Sequence, residues 1–317
     1  MQILPCRAPV GPSIDECAGD LQTFSQFYSP AIQSTMKPAS LVSIHGGHSG
    51  QFCDHARDTL EKIIRRYIEL GFTWVGITEH TPPISDNLLD PGQRKLGFTA
   101  ESLLEKFADY FVEIRRLKQL YRDRLEIFAA MEIETYSGYR QFVPFLVKTF
   151  QPDYFVGSVH FVGDINFDYS EKLYRRAIDS AGSIDNLYLK YFDLQYEMID
   201  LLNPPVVGHF DLIRIFDPDY RSRLLRPDIN RKIERNLELI RQKDLILDLN
   251  LRALYKGNDE PYISRRILEK VREMEIAVVP GDDSHSVDSV GNHMTTAIEL
   301  LRDMGFSTEW RKPGPIL

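Results

Sequence analysis

Seven of the eight histidines in this chain stand at or just beyond the end of a short apolar run, and all but His293 follow the pattern. Random placement would not do that, and the pattern restricts the fold. The runs are 41–45, 73–78, 126–132, 154–160, 205–209, 245–250 and 277–281. Each is short and rich in β-branched or aromatic residues, as expected of strands buried on both faces. Helical spacing recurs between them. Asp54 is placed to cap a helix over 56–70 that Gly71 stops, and Thr99 to cap one over 100–120. Stretches 184–201, 228–243, 263–274 and 294–304 behave alike, whereas 82–98 and 162–172 read as long loops. Strands alternating with helices predict parallel pairing and an α/β architecture. In an open sheet the strand ends spread along an edge, but in a barrel they converge on one face. This many histidines and acids at strand ends predicts a closed, seven-stranded (β/α) barrel of TIM-like type.

The chemistry at those ends is consistent from strand to strand. The first run leads into His45, His48 and His55, interleaved with Gly46, Gly47 and Gly50. The second ends in Glu79-His80, the third in Glu132-Ile133-Glu134, the fourth at His160 and the fifth at His209. The seventh opens into Asp282-Asp283-Ser284-His285. Histidine is the commonest metal ligand among side chains. Nitrogen and oxygen donors without dense cysteine suit Zn, Mn or Fe. Seven histidines and two acids exceed one tetrahedral site and match two or three neighbouring divalent ions sharing a carboxylate. Such clusters activate water and clamp the oxygens of a displacement at phosphorus. Donor count thus points to phosphoester hydrolysis, with metallo-amidohydrolase chemistry fitting equally at this point. Cys53, inside the cluster, reads as a small buried residue rather than a ligand. Trp74 and Trp310 read as core and surface packing.

Composition limits the partners. The formal net charge of −8 and the lack of a basic, aromatic stripe disfavour long nucleic acid and leave a small phosphorylated substrate. No apolar run approaches the roughly 18 residues of a membrane span, and the start of the chain lacks the pattern of a secretory signal. The three cysteines, Cys6, Cys17 and Cys53, form no paired framework and suit a reducing cytoplasm. Residues 1–38 are rich in Pro, Ser and Gly and read as an extension, with 39–317 as the catalytic domain. Nothing in the sequence signals an oligomeric state.

The ordered motifs HGGHSGQFCDHA, GITEHTPP, AMEIETY, GSVHF, VGHFDLI, LDLN and PGDDSH resemble the PHP (polymerase and histidinol phosphatase) family over about residues 41–290. Within it the resemblance is to the histidinol-phosphate phosphatases. It implies a distorted seven-stranded barrel with a trinuclear metal site. One ion would take His45, His48, Glu132 and Asp283; a second would share Glu132 and add His160 and His209; a third would take His55, His80 and His285. It implies that Glu132, Asp283 and His285 act at the reacting centre. The family opens with H-x-H, whereas this chain has H-x-x-H with two glycines between, where a bulge would restore the geometry. Glu79 and Glu134 lie beside the motif positions without matching them, and read as supporting the ligands from behind or as solvated. Phosphate binding needs cations, and Arg214, Arg252 and Lys256 lie near strand ends, with Asn250 placed to orient a ligand or phosphate. The expected reaction is hydrolysis of L-histidinol phosphate to L-histidinol and phosphate in histidine biosynthesis. A nucleotide or other small phosphoester, and a non-catalytic metal-binding homologue, are the alternatives.

Overall fold

The computed structural model describes residues 39–314 and 316. The extension expected at 1–38, with Cys6 and Cys17, lies outside the described residues. Nine strands run in chain order as β1 Leu41–Ser43, β2 Phe72–His80, β3 Glu126–Ile133, β4 Tyr154–Gly157, β5 Phe161–Val162, β6 Ile165–Asn166, β7 Val206–Val207, β8 Ile246–Asn250 and β9 Ala277–Gly281. Seven of them form one sheet in the order β1-β2-β3-β4-β7-β8-β9. Every pairing in it is parallel. The ends meet, because Ile44 N–H donates to Pro280 O at 3.1 Å and Asp283 N–H donates to His45 O at 2.9 Å. The result is a near-closed barrel with helices outside. β5 and β6 form a separate antiparallel hairpin at its rim, inside the stretch read as a loop.

Side chains alternate across a strand, and the inward set changes character from one end of the barrel to the other. Val42, Ile44, Trp74, Ala130, Tyr154, Val156, Val206, Ile246 and Val279 fill the lower interior as one buried cluster. Two to six residues further along the same inward faces stand Thr78 and His80, Glu132, Ser158 and His160, and Asp248 and Asn250, all from the same strand ends. The apolar layer is a packed floor, so the polar groups are held above it and away from bulk water. A second, larger cluster fills the space between the strands and the helices. Trp310, outside the barrel, donates its indole N–H to Ser40 O at 2.7 Å.

Local signals explain most helices. Thr99 caps Ala100–Leu120, with Ser102 N–H donating to Thr99 Oγ1 at 3.1 Å and Thr99 N–H donating to Ser102 Oγ at 2.9 Å. The expected helix over 56–70 begins later, at Leu60, and Asp54 does not cap it. Asp54 instead accepts from Gln93 Nε2 at 3.3 Å, and the freed residues 51–59 form the loop that carries His55. Two longer helices, Tyr139–Phe150 and Glu171–Ala181, and the short ones Pro91–Lys95, Tyr220–Leu224 and Arg252–Tyr255 were not legible. The first contains Pro144, a helix-breaking signal that tertiary packing overrides here. No described helix is long and apolar enough to cross a membrane.

Close approach of backbones sets the rim. A Cβ at Gly281 would overlap Asp248 Oδ1 and lie 2.7 Å from His45 Cβ. Gly281→Ala is therefore expected to destabilise the fold by about 1–3 kcal/mol through overpacking. Chemical denaturation should show the loss, and an unchanged midpoint would mean that the β8–β9 rim has slack.

Candidate metal centre

The third strand delivers the organising group. Glu132 is 1% exposed, and its two oxygens face five histidines from four different segments. Oε1 lies 2.8 Å from His209 Nε2 and 3.3 Å from His160 Nε2. Oε2 lies 3.2 Å from His45 Nε2, 3.4 Å from His80 Nδ1 and 3.8 Å from His48 Nε2. Asp283, on the loop after β9, adds an oxygen 3.0 Å from His48 Nε2 and 3.5 Å from His285 Nε2. These donors fall into overlapping groups whose ligand atoms lie within 4.8 Å of one another: His45 with Glu132 and His209, His80 with Glu132 and His160, His45 with His48 and Asp283, and His48 with His80 and His285.

Electrostatics follow from that crowding. Burial works to raise the Glu132 carboxyl, but His45, His80 and His160 outweigh it and hold it well below the ordinary range. Burial works to lower His80, but Glu132 and Glu134 lift it to about 9. Burial, with His80 beside it, lowers His48 to about 4. Buried nitrogens are left over: His45 Nε2, His48 Nδ1, His209 Nδ1 and both ring nitrogens of His285 have no hydrogen-bond partner. Unpartnered buried imidazole nitrogens beside carboxylate oxygens are the donor set that a first-row divalent cation takes. The residues present therefore fit such a group.

The two histidines of the H-x-x-H segment both reach the centre. The route between them is narrow: Gly46 N–H donates to Gly76 O at 2.9 Å, and a Cβ on Gly46 would overlap that same oxygen. His48 N–H then donates to Ser284 O at 2.8 Å. The chain thus threads between the ends of β2 and β9. The expected bulge at the glycines is absent; the register shift lies earlier, between Leu41 and Val42.

Other expectations are corrected. His55 does not join the His80 and His285 donor group. It sits on the 51–59 loop rather than at a strand end, 43% exposed, with Nδ1 3.0 Å from Cys53 Sγ. Its ring remains near, 4.9 Å from that of His285 and 5.0 Å from that of His80. Arg214 does not face the centre. Its guanidinium is buried, donating to Glu260 O at 3.1 Å and Pro261 O at 2.6 Å, pairing with Asp211 at 3.3 Å and stacking on Tyr262. Asn250 is consumed by its neighbours and does not offer itself to phosphate. Its amide donates to Asp248 and Asp283, each at 3.1 Å, and its oxygen accepts from Arg252 N–H at 2.9 Å. Arg252 and Lys256 do line the cavity above the donors, which has a volume of about 300 Å³.

One important residue, Asp248, went unassigned, and Glu134 supports two histidines rather than standing in solvent. Asp248 Oδ2 lies 2.9 Å from His45 Nδ1 and fixes that ring. The period-two pattern of Asp248 and Asn250 on one apolar strand was the available signal. Glu134 lies 2.8 Å from His80 Nδ1 and 2.7 Å from His160 Nδ1, tying two rings with one carboxylate. Burial opposes its ionisation, but His160 and His80 hold it at about 2. Glu79 is also buried, accepting from Ser49 N–H at 2.7 Å and Ser49 Oγ at 2.9 Å. It is not solvated, and burial raises it to about 7.

A parallel barrel with overlapping histidine and carboxylate groups at the C-terminal rim of its strands defines the class. The PHP domain profile matches residues 46–252, and the chain belongs to the PHP family. A probable histidinol-phosphatase of Schizosaccharomyces pombe is 34% identical over 271 residues, covering 84% of this chain and 88% of that one. The histidinol-phosphatase of Saccharomyces cerevisiae is 28% identical over 283 residues, covering 78% and 84%. Among solved structures, a Lactococcus lactis histidinol phosphate phosphatase complexed with Zn, L-histidinol and phosphate superposes with a TM-score of 0.63 at 18% identity, covering 84% and 94%.

The Asp248–His45 contact carries a prediction. Ligand-orienting carboxylates typically contribute 10- to 100-fold to metal affinity. Asp248→Asn should weaken divalent-cation binding by about that factor, read by calorimetry, with an unchanged circular dichroism spectrum. Affinity equal to that of the parent protein would remove Asp248 from this role.

Proposed function

We propose that this chain is a metal-dependent phosphomonoesterase that hydrolyses L-histidinol phosphate to L-histidinol and phosphate. The observation that carries the reading is Glu132, one buried carboxylate within 4 Å of five histidines under a cavity that also presents Arg252 and Lys256. Support for the substrate comes from the relatives named histidinol-phosphatase, which match over most of their own length, and from a related barrel solved with Zn, L-histidinol and phosphate.

We assign two to three divalent ions, Zn, Mn or Fe, to His45, His48, His80, Glu132, His160, His209, Asp283 and His285, with Glu132 shared. When bound, such ions polarise phosphoryl oxygens and make water nucleophilic at neutral pH. The chain's own residues do the rest. Arg252 and Lys256 bind phosphate oxygens, over which charge spreads in the transition state. Asp248 holds His45, Glu134 holds His80 and His160, and Asn250 holds Asp283, so the donors are in place before substrate arrives. His285, lowered well below its usual range chiefly by burial, stays neutral, so one ring nitrogen is free to ligate. A cytoplasmic setting suits a sequence whose three cysteines form no paired framework by spacing.

Glu132→Gln is expected to lower turnover of L-histidinol phosphate by about a thousandfold or more and to reduce metal content. Phosphate release and elemental analysis check this, and full activity in that variant would sink the assignment. Turnover of a nucleoside monophosphate in preference to L-histidinol phosphate would move the substrate to the nucleotide alternative. The two arginines should separate cleanly. Arg252→Ala should lower kcat/KM about 10- to 100-fold, the worth of one charge-assisted hydrogen bond, with little change in stability. Arg214→Ala should instead destabilise by about 3–5 kcal/mol, because it strands buried Asp211. Equal kinetic losses at near-native stability would return Arg214 to the phosphate site.

A further inference from the structure

Asp282 stands between Gly281 and the donor Asp283 without joining the donor groups. Side chains alternate along a strand. Val42, Ile44 and Val279 belong to the barrel interior, so Ser43 and Asp282 point outward, toward Tyr67 on the helix Leu60–Glu69. All three residues are buried. Ser43 Oγ donates to Asp282 Oδ1 at 2.6 Å and accepts from Asp282 N–H at 3.1 Å. Tyr67 Oη donates to the same carboxylate oxygen at 2.7 Å, and Gly291 N–H donates to the other at 2.8 Å. With its own proton so used, the Tyr67 phenol accepts from Ser284 Oγ at 3.1 Å. Among the described residues, each of these bonds to the carboxylate comes from a hydroxyl or a backbone N–H.

This network spans the seam where the sheet closes. On the β1 side it grips Ser43, two residues before His45; on the β9 side it grips the residues flanking Asp283. Asp283 has a φ of +43°, the left-handed region that a residue with a side chain enters when its surroundings hold it there. Its N–H donates to His45 O at 2.9 Å, and His48 N–H donates to Ser284 O at 2.8 Å. The fit is close, since a Cβ on Gly47 would lie 2.9 Å from Ser284 Oγ. The donor group of His45, His48 and Asp283 is therefore built wholly from the two sides of the seam, whereas that of His80, Glu132 and His160 is carried by β2, β3 and the end of β4. Burying a carboxylate is unfavourable beside an apolar residue of similar volume. What Asp282 supplies in return is directed bonds to three segments that an apolar side chain could not make.

We propose that Asp282, acting through Ser43, Tyr67 and Ser284, is a positioning residue that holds the His45–His48 and Asp283–His285 segments in register, so that the cation held by His45, His48 and Asp283 depends on it and the cation held by His80, Glu132 and His160 does not. The proposal rests on the metal assignment made above and names the group that sets the spacing of one half of the centre. Asp282 itself touches neither cation nor substrate.

The test is calorimetric titration of the metal-free, full-length protein with Zn²⁺, repeated with Co²⁺ so that visible absorption reports each site. In Asp282→Asn one ion should bind about tenfold more weakly, as when a ligand-orienting group is lost, while another keeps its parent affinity. The cobalt bands of the weakened site alone should change. Tyr67→Phe keeps the ring and removes one bond to Asp282, so it should weaken the same ion by a smaller factor; it also serves as the test if Asp282→Asn does not fold. Equal weakening of every ion, or a lowered denaturation midpoint with every affinity unchanged, would mark a general structural role and overturn the proposal while leaving the metal assignment standing. Failure of the parent protein to bind any divalent ion would remove the metal assignment and this inference with it.

Discussion

An ionised carboxylate at the bottom of a barrel mouth is the constraint on which the rest of this protein depends. Taking such a group out of water is unfavourable by several kcal/mol, and Glu132 is almost wholly buried. Its compensation comes from five imidazoles, contributed by segments spread from His45 to His209. Those imidazoles are themselves buried and crowded, and the same neighbourhood pushes some up and others down: His80 to about 9, His48 to about 4. Divalent cations bound there would add positive charge beside the carboxylates and accept the unpartnered lone pairs.

The barrel makes that arrangement possible by layering its interior. The apolar floor from Val42 to Val279 blocks water from below. Above it, Asp248, Asn250 and Glu134 spend their hydrogen bonds on the rings and carboxylates around them. Donors carried on strand ends inherit the rigidity of the sheet, which loops do not offer. His55 illustrates the contrast. It lies furthest from β1 of the three histidines in the opening motif, and it is the one that stands apart, against Cys53.

The family relationship and the site geometry bear on different parts of the functional reading. Membership of the PHP family rests on a profile match and on a relative that covers most of both chains. The cavity above the donors is lined by Arg252, Lys256, Asp90 and Asp168. These residues stand on segments after β2, after the hairpin and after β8, consistent with barrels that vary function through loops over a constant scaffold.

Much of this was written in local sequence. Short apolar runs gave all seven barrel strands to within a few residues, because period and composition are local properties. Thr99 announced its helix for the same reason, since a cap needs only the next three residues. The histidines at the run ends likewise announced a convergent centre, because parallel strands in a barrel carry all their C-terminal ends to one face. What only tertiary structure decided was which group bonds which. Asp248 holds His45 across 203 residues of chain, and Glu134 ties His80 to His160. Arg214 looked as free as Arg252 in sequence, yet carbonyls of Glu260 and Pro261 claim it. Hydrogen bonds and ion pairs act over a few ångströms of space rather than along the chain, so the sequence by itself determined the scaffold and the cast of donors, and the folded packing determined their roles.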